Sequence, residues 1–301
     1  GPADRGCDRA RVRAGAARAV SAIPQTASLP EAGRIRSVVD FYLTTMRTAV
    51  QQQFQYRIAT YFYMFGMVAE PVIYLVVWTT IAEQQGGEIQ GLSVGYFAAY
   101  YIVWTLVRNM NIVYGAPFWE YRIREGRLAG DLLRPLHPLH HDVAYFAGSK
   151  VVWIILWLPI AAALVWLFDP ALDPTPQEIV VFSIAIWGAY LLRTMLQSTL
   201  GMLCFWTTKG AAVFNLYMTA ELLLSGRLVP LPLMPDWVQD IARFLPFQWA
   251  FFYPIETLVG DLSTNELVGG LLVQALWILI GLAMFKIAWR FAIRRFSSVG
   301  N

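Results

Sequence analysis

Charge is what this 301-residue sequence has least of: only 14% of its residues are Asp, Glu, Lys or Arg, against the quarter usual in soluble domains. Cysteine is nearly missing too. Cys7 lies in an irregular tail and Cys204 in an apolar segment, so a disulfide framework is excluded and a metal site finds no paired thiolates. Lysine occurs three times, at Lys150, Lys209 and Lys286, beside twenty arginines. None of the three closes a G-x-x-x-x-G-K-[ST] phosphate cradle, so ATP, if used, must be bound by another chain. No HExxH pair accompanies His137, His140 and His141, and Pro138 interrupts the i, i+4 spacing of His137 and His141. Contact with lipid or a partner is the better use for these histidines.

What fills the chain instead is apolar: 57% of residues are hydrophobic and 15% aromatic. Several runs approach or exceed the ~18–20 residues a helix needs to cross a bilayer. Six are read as spans, at about 58–82, 94–116, 144–168, 179–206, 211–225 and 267–290. The loops at 83–90 and 169–178 carry carboxylates but no Lys or Arg, whereas Arg122, Arg124, Arg127 and Arg134 crowd 120–142 and Lys286, Arg290, Arg294 and Arg295 the C-terminus. The positive-inside rule then places both termini and the 120–142 island in the cytoplasm. The fold class is an all-α integral membrane protein with six transmembrane helices, N-in and C-in. The "GLSVG" at 91–95 matches a G-x-S-x-G nucleophile elbow only in letters. It opens a span on the outer side, away from every histidine, and lacks the strand that motif needs.

The division expected is a disordered basic tail at 1–32, an amphipathic interfacial helix at 33–55, a six-span domain at 56–295 and a C-terminal tail at 296–301. The tail could also be a membrane-touching arm, its arginines meeting anionic headgroups. In 33–55, Val38, Phe41, Tyr42, Met46 and Val50 recur near helical spacing with Arg36, Asp40 and Arg47 elsewhere around the helix. That pattern suits a helix in the cytoplasmic interface, with a plain extension of the first span as the competing reading.

The fifth span is too short to cross comfortably, and Pro230, Pro232, Pro235 and Pro246 forbid a continuous helix after it. The stretch is nonetheless too apolar for a solvated loop. Irregular backbone at membrane depth survives only where protein or water satisfies it, so a broken element at the outer leaflet is expected, with a short helix near 236–244 and packing roles for Trp237, Phe244 and Phe247.

Glu70, Arg108, Arg193 and Glu221 lie inside the spans. Each charge costs about 2.5–3.5 kcal/mol on insertion scales and needs a partner. Arg193 and Glu221 sit at matching depth on adjoining spans, which predicts an ion pair. Pro71, after Glu70, is expected to kink span one. These four residues either line a polar translocation or subunit-contact surface or fix helix register.

In the island "EYRIREGRLAGDLLRPLHPLHHD", Leu128, Leu132, Leu133 and Leu136 follow helical spacing, and Gly126 and Pro135 punctuate. Short helical pieces are implied, with one apolar face and one charged face: a rigid knob on which a soluble partner can push.

"YRIREGRLAGDLLRPLHPL" resembles the segment after the second span in ABC transporter permeases of the type V exporter class, the branch of bacterial drug and polysaccharide exporters. Ile123, Arg124, Gly126, Leu128, Leu132, Leu133, Arg134 and Pro135 carry that likeness. Leu224, Ser225, Gly226, Pro230, Leu231, Pro235, Leu245, Pro246 and Phe247 carry a second one in "LLSGRLVPLPLMPDW…FLPF", where Arg227 departs from the small or apolar residue expected. The resemblance covers about 36–298.

It implies a permease subunit of an exporter in the bacterial cytoplasmic membrane, not an enzyme by itself. Two ABC ATPase subunits carry ATP and Mg, a second permease is identical or homologous, and lipid surrounds the pair; no nucleic acid is involved. A coupling helix falls in 118–142, with Arg122, Arg124, Glu125, Gly126, Arg127, Asp131 and Arg134 as the ATPase contacts. An outer re-entrant region falls in 226–260, marked by Gly226, Pro230, Pro235 and Pro246. The rival readings are a membrane-embedded lipid-modifying enzyme and a non-catalytic membrane scaffold.

Overall fold

The computed structural model describes residues 31–207 and 210–296. Most of the tail expected at 1–32, and all but the first residue of that expected at 296–301, lie outside the described residues. The chain divides into two units between Leu43 and Thr44, a boundary that falls within the first helix, α1 (Glu31–Gln55). In the first unit Val38, Phe41 and Tyr42 are partly covered while Arg36 and Asp40 are exposed. In the second, Ala49 is fully buried, Met46 and Val50 are half-buried and Arg47 is exposed.

The second unit is helical apart from a two-residue hairpin, β1 (Glu88–Ile89) and β2 (Leu92–Ser93). Gln90 and Gly91 both take positive φ in its turn, the combination that matches strand twist in a two-residue hairpin. The hairpin joins α2 (Arg57–Gln84) to α3 (Val94–Met110). Ser93 caps α3 by accepting from the Tyr96 N–H, which is the work of the serine in "GLSVG". Helix α2 continues through Pro71.

Helix α3 is apolar on all sides because it is enclosed on nearly all sides. Phe97, Tyr100, Tyr101, Trp104, Val107 and Met110 are all fully buried. The second span, expected to run unbroken over 94–116, ends at Met110. After a gap at 111–114 the chain resumes as α4 (Gly115–Arg124). Pro117 supplies the reason. In the first turn of α4 its missing N–H costs nothing, whereas inside a continuous helix it would lose the bond to the Val113 carbonyl and collide with it. Gly115 permits close packing of α4 on α7 (Pro176–Gly201), where an added Cβ would lie 2.9 Å from the Gln197 Cβ.

Helices α5 (Leu128–Leu132) and α6 (Pro138–Phe168) follow α4. The capping box of Thr175 and Glu178 starts α7, satisfying its first orphan donors. Helix α8 (Gly210–Leu224) precedes a broken region of α9 (Asp236–Arg243), α10 (Phe247–Ala250) and α11 (Phe252–Val259). A second capping box, Ser263 with Glu266, starts α12 (Thr264–Ala292).

In the broken region prolines punctuate. Pro230 precedes a 3-10 turn at Leu231–Leu233, Pro235 precedes α9 and Pro246 precedes α10. Tyr100 and Tyr101 of α3 anchor the stretch, donating to the carbonyls of Gly226 at 2.8 Å and Leu228 at 3.1 Å. Gly226 sits at φ 81°, where a Cβ would be strained. Gln274 of α12 ties α7 to α10 by donating to the carbonyls of Ala185 and Trp249. Trp237 and Phe244, expected to pack, are instead 66% and 81% exposed. Trp237 projects from α9, a short helix that buries only Val238 and Ala242, and Phe244 is its C-cap.

Candidate functional site

The gap in the second span leaves carbonyls without helical partners, and basic side chains from other helices take them. Lys150 of α6 is buried and donates to the carbonyls of Asn109, at 3.1 Å, and Ile112. Arg193 of α7 donates through Nη1 to the carbonyl of Asn111. The Asn111 amide donates to the Ala250 carbonyl at 2.6 Å. Cations suit a helix C-terminus, where the macrodipole is negative and carbonyls are unfilled.

Arg193 also meets Glu221 of α8, donating through Nε at 2.8 Å and Nη2 at 2.7 Å. Glu221 is fully buried and takes a further bond from Tyr217 at 3.1 Å. The ion pair predicted from matched depth is present. Arg108 pairs with Glu70 at 2.5 Å. Arg227, the residue that departed from the expected pattern, lies 3.6 Å from Glu221 and stacks near Phe251 and Trp104. Arg108, Arg193 and Arg227 line a cavity of about 340 Å³ whose other walls include Ile112, Phe214, Met218 and Phe251.

The island at 120–142 is built differently from expectation. Arg122 was assigned to a contact face, yet it is buried. Its guanidinium makes a two-pronged bond to Asp142 at 2.8 and 2.6 Å, lies 3.3 Å from Asp131 and covers the Phe118 ring. It therefore braces α4, α5 and the start of α6 together, with Asp131 turned inward beside it. The four leucines do not share one buried face either. Leu128 is fully buried, whereas Leu132 is 37% and Leu133 89% exposed. A five-residue helix cannot carry a stripe over two turns.

What remains outside is a basic surface of Arg124, Glu125, Gly126, Arg127 and Arg134. Arg124 is paired with Glu120 at 2.9 Å, Arg127 lies over Tyr121, and Gly126 makes the turn at φ 67°. Gly226, Pro230, Pro235 and Pro246 lie apart from this surface in sequence, on the stretch anchored to α3.

His137 caps α6 by accepting the Leu139 N–H and packs 4.3 Å from the Trp289 ring centre. Burial first, and the nearby His140 second, hold its pKa down at about 4. It is thus a neutral structural imidazole. Among the described residues no three His, Cys, Asp or Glu come together as a metal site.

Sequence reasoning missed Lys150 as a buried ionisable group and Glu256 as a half-buried one. Glu256 of α11 accepts a hydrogen bond from the Tyr96 hydroxyl. Lys150 had a usable signal, since it falls inside the expected third span. Glu256 had none, because no hydrophobic period marks α11 in advance.

Among the described residues four helices are long and apolar enough to cross a membrane: α2, α6, α7 with its 3-10 extension, and α12. They expose large apolar side chains such as Phe62, Phe65, Trp166 and Leu272, a surface suited to lipid. The class is a multi-pass membrane protein. Residues 68–300 match the family model described as ABC-2 family transporter protein, and the chain belongs to that family, as a transmembrane permease of ABC transport. No curated protein matches the chain.

Proposed function

We propose that this chain forms half of the pathway of an ATP-driven exporter in a bacterial cytoplasmic membrane. It crosses six times with both termini inside. The two crossings beyond the four long helices are α3 and α8, whose 17 and 15 residues fall short of the ~20 usual for a span. The gap after α3 and the broken region after α8 sit at those short ends, where enclosed irregular backbone completes the depth.

Two permeases, identical or homologous, enclose the pathway, and two separate ATPase subunits carrying ATP and Mg dock on the 118–142 knob. The observation that carries this reading is the brace at Arg122. A buried arginine held by Asp131 and Asp142 makes the exposed arginines part of a stiff body, so a push on Arg124, Arg127 or Arg134 moves α4 and α6 together. Glu70, Arg108, Arg193 and Glu221 line the route or fix its register.

Co-purification with the partner ATPase is the test. Reversing Arg124 and Arg127 to Glu releases the ATPase, or uncouples hydrolysis from transport, while membrane insertion is kept. Unchanged assembly and transport in that variant would sink the docking assignment.

A further inference from the structure

The cavity beside the broken second span contains more positive charge than its carboxylates neutralise. Glu70 is committed to Arg108 at 2.5 Å, and Glu221 to Arg193 through both oxygens. Arg227 is the surplus cation. Among the described residues Glu221, at 3.6 Å, is its one carboxylate within ion-pair distance and is already doubly bonded elsewhere, and its buried Nε has no acceptor. Lys150 adds a further basic group next to the cavity wall at Ile112. Gln197, also lining the cavity and buried, leaves its Oε1 without a donor. The remaining walls, Phe214, Met218, Phe251 and Val113, are apolar.

We infer that this cavity binds the head of an anionic amphiphile, a carboxylate or phosphate monoester on an apolar body, with Arg227 as its counter-ion and Gln197 Oε1 accepting from the remaining hydroxyl where the head is a singly ionised phosphate. The inference rests on the permease reading only in treating that amphiphile as cargo. The chemistry follows from the lining. A buried guanidinium short of acceptors is costly to leave alone, and its planar fork fits a carboxylate or phosphate. A cation is repelled, and a zwitterion gains from Arg227 no more than its second charge loses to the cluster. The volume of about 340 Å³ holds a head and the first part of a chain rather than a whole lipid, so the rest of the tail must leave between helices.

Radiolabelled dodecyl phosphate, with the purified chain in phosphatidylcholine nanodiscs and empty discs as the blank, tests the site without the ATPase. Saturable binding is expected, well above that of dodecylphosphocholine, which has the same tail and no net charge, and of inorganic phosphate, which has no tail. Arg227→Gln weakens it by about tenfold or more, the size of one charge-assisted bond, whereas Arg227→Lys retains most of it. Phe214→Trp, which narrows the cavity at a ring stacked on Tyr217, also weakens it and covers the case in which Arg227→Gln fails to fold. Equal binding of dodecylphosphocholine, or full binding by both the Gln and Trp variants, overturns the site. Those results with the parent chain still capturing the ATPase reject the site and leave the permease reading standing; a parent chain that captures no ATPase but still binds dodecyl phosphate rejects the permease reading and keeps the site.

Discussion

Arg193 reaches Glu221 with two nitrogens, at 2.8 and 2.7 Å, and uses the third for the backbone carbonyl of Asn111. One side chain thus joins α7 to α8 and closes part of the gap after α3. Breaking a buried pair from one side leaves an uncompensated charge and costs about 3–5 kcal/mol. Glu221→Gln and Arg193→Gln should therefore both lower the unfolding temperature of the purified protein, with Arg193→Gln the worse because it also orphans the Asn111 carbonyl. The charge swap of both residues should recover only part of the loss, since Glu at 193 cannot donate to that carbonyl. Full recovery would show that the Asn111 contact is energetically idle.

Lys150 gives an independent handle on the same gap. Lys150→Met keeps the length of the stem and removes the donor to the Asn109 and Ile112 carbonyls. The Asn109 carbonyl keeps the Ile112 N–H, so a loss of about 1–3 kcal/mol is expected from the Ile112 carbonyl left unpaired, read as a fall in unfolding temperature in detergent. No change would mean that water fills the place of the ammonium.

The knob separates stability from docking. Arg122→Ala removes the brace to Asp131 and Asp142 and should lower thermal stability along with ATPase capture. Arg127→Ala, at an exposed position over Tyr121, should leave stability within about 0.5 kcal/mol of the parent and reduce capture alone. The same unfolding temperature in both variants would contradict the brace.

His137 supplies a pH signature. Its folded pKa, about 4, lies below the ordinary 6.5, so between those values the unfolded chain holds more protons and stability falls as pH drops. The loss begins as pH passes below about 6.5 and is complete below about 4. Comparison with His137→Asn, which keeps a side chain able to cap α6, cancels other titrations. From about pH 7.5 to about pH 5 the parent should lose more unfolding temperature than the variant. Equal losses would mean that the imidazole is charged in the folded state.

Long apolar periods made the helices legible, because a bilayer demands the same length and composition wherever a chain crosses it. The Arg193–Glu221 pair was legible for a related reason: depth along a helix is simple arithmetic in residue number. The break after α3 was not read, although Pro117 stood in the sequence, because the apolar run continues across it and hides the interruption. Arg122 looked like any other arginine of its cluster. Only folding brings Asp142, twenty residues on, into its reach. Arg227 appeared merely as a departure from a pattern, and its place beside Glu221 depends on how the chain turns at Gly226. Exposure of Trp237 and Phe244 was misjudged because aromatic content alone cannot tell lipid-facing rings from packed ones.

The gap at 111–114 also has a mechanical meaning. An unbroken rod from the knob to the outer end of α3 would carry a displacement along its axis unchanged. With the rod in two lengths, motion of α4 reaches α3 only through four residues, and the carbonyls of Asn111 and Ile112 there are held by Arg193 and Lys150. Under the docking proposed above, thrust applied at the knob is thereby turned sideways into α7 and α6. Under that same proposal, the elements that flank the cavity move before the tyrosine-anchored half of α3 does.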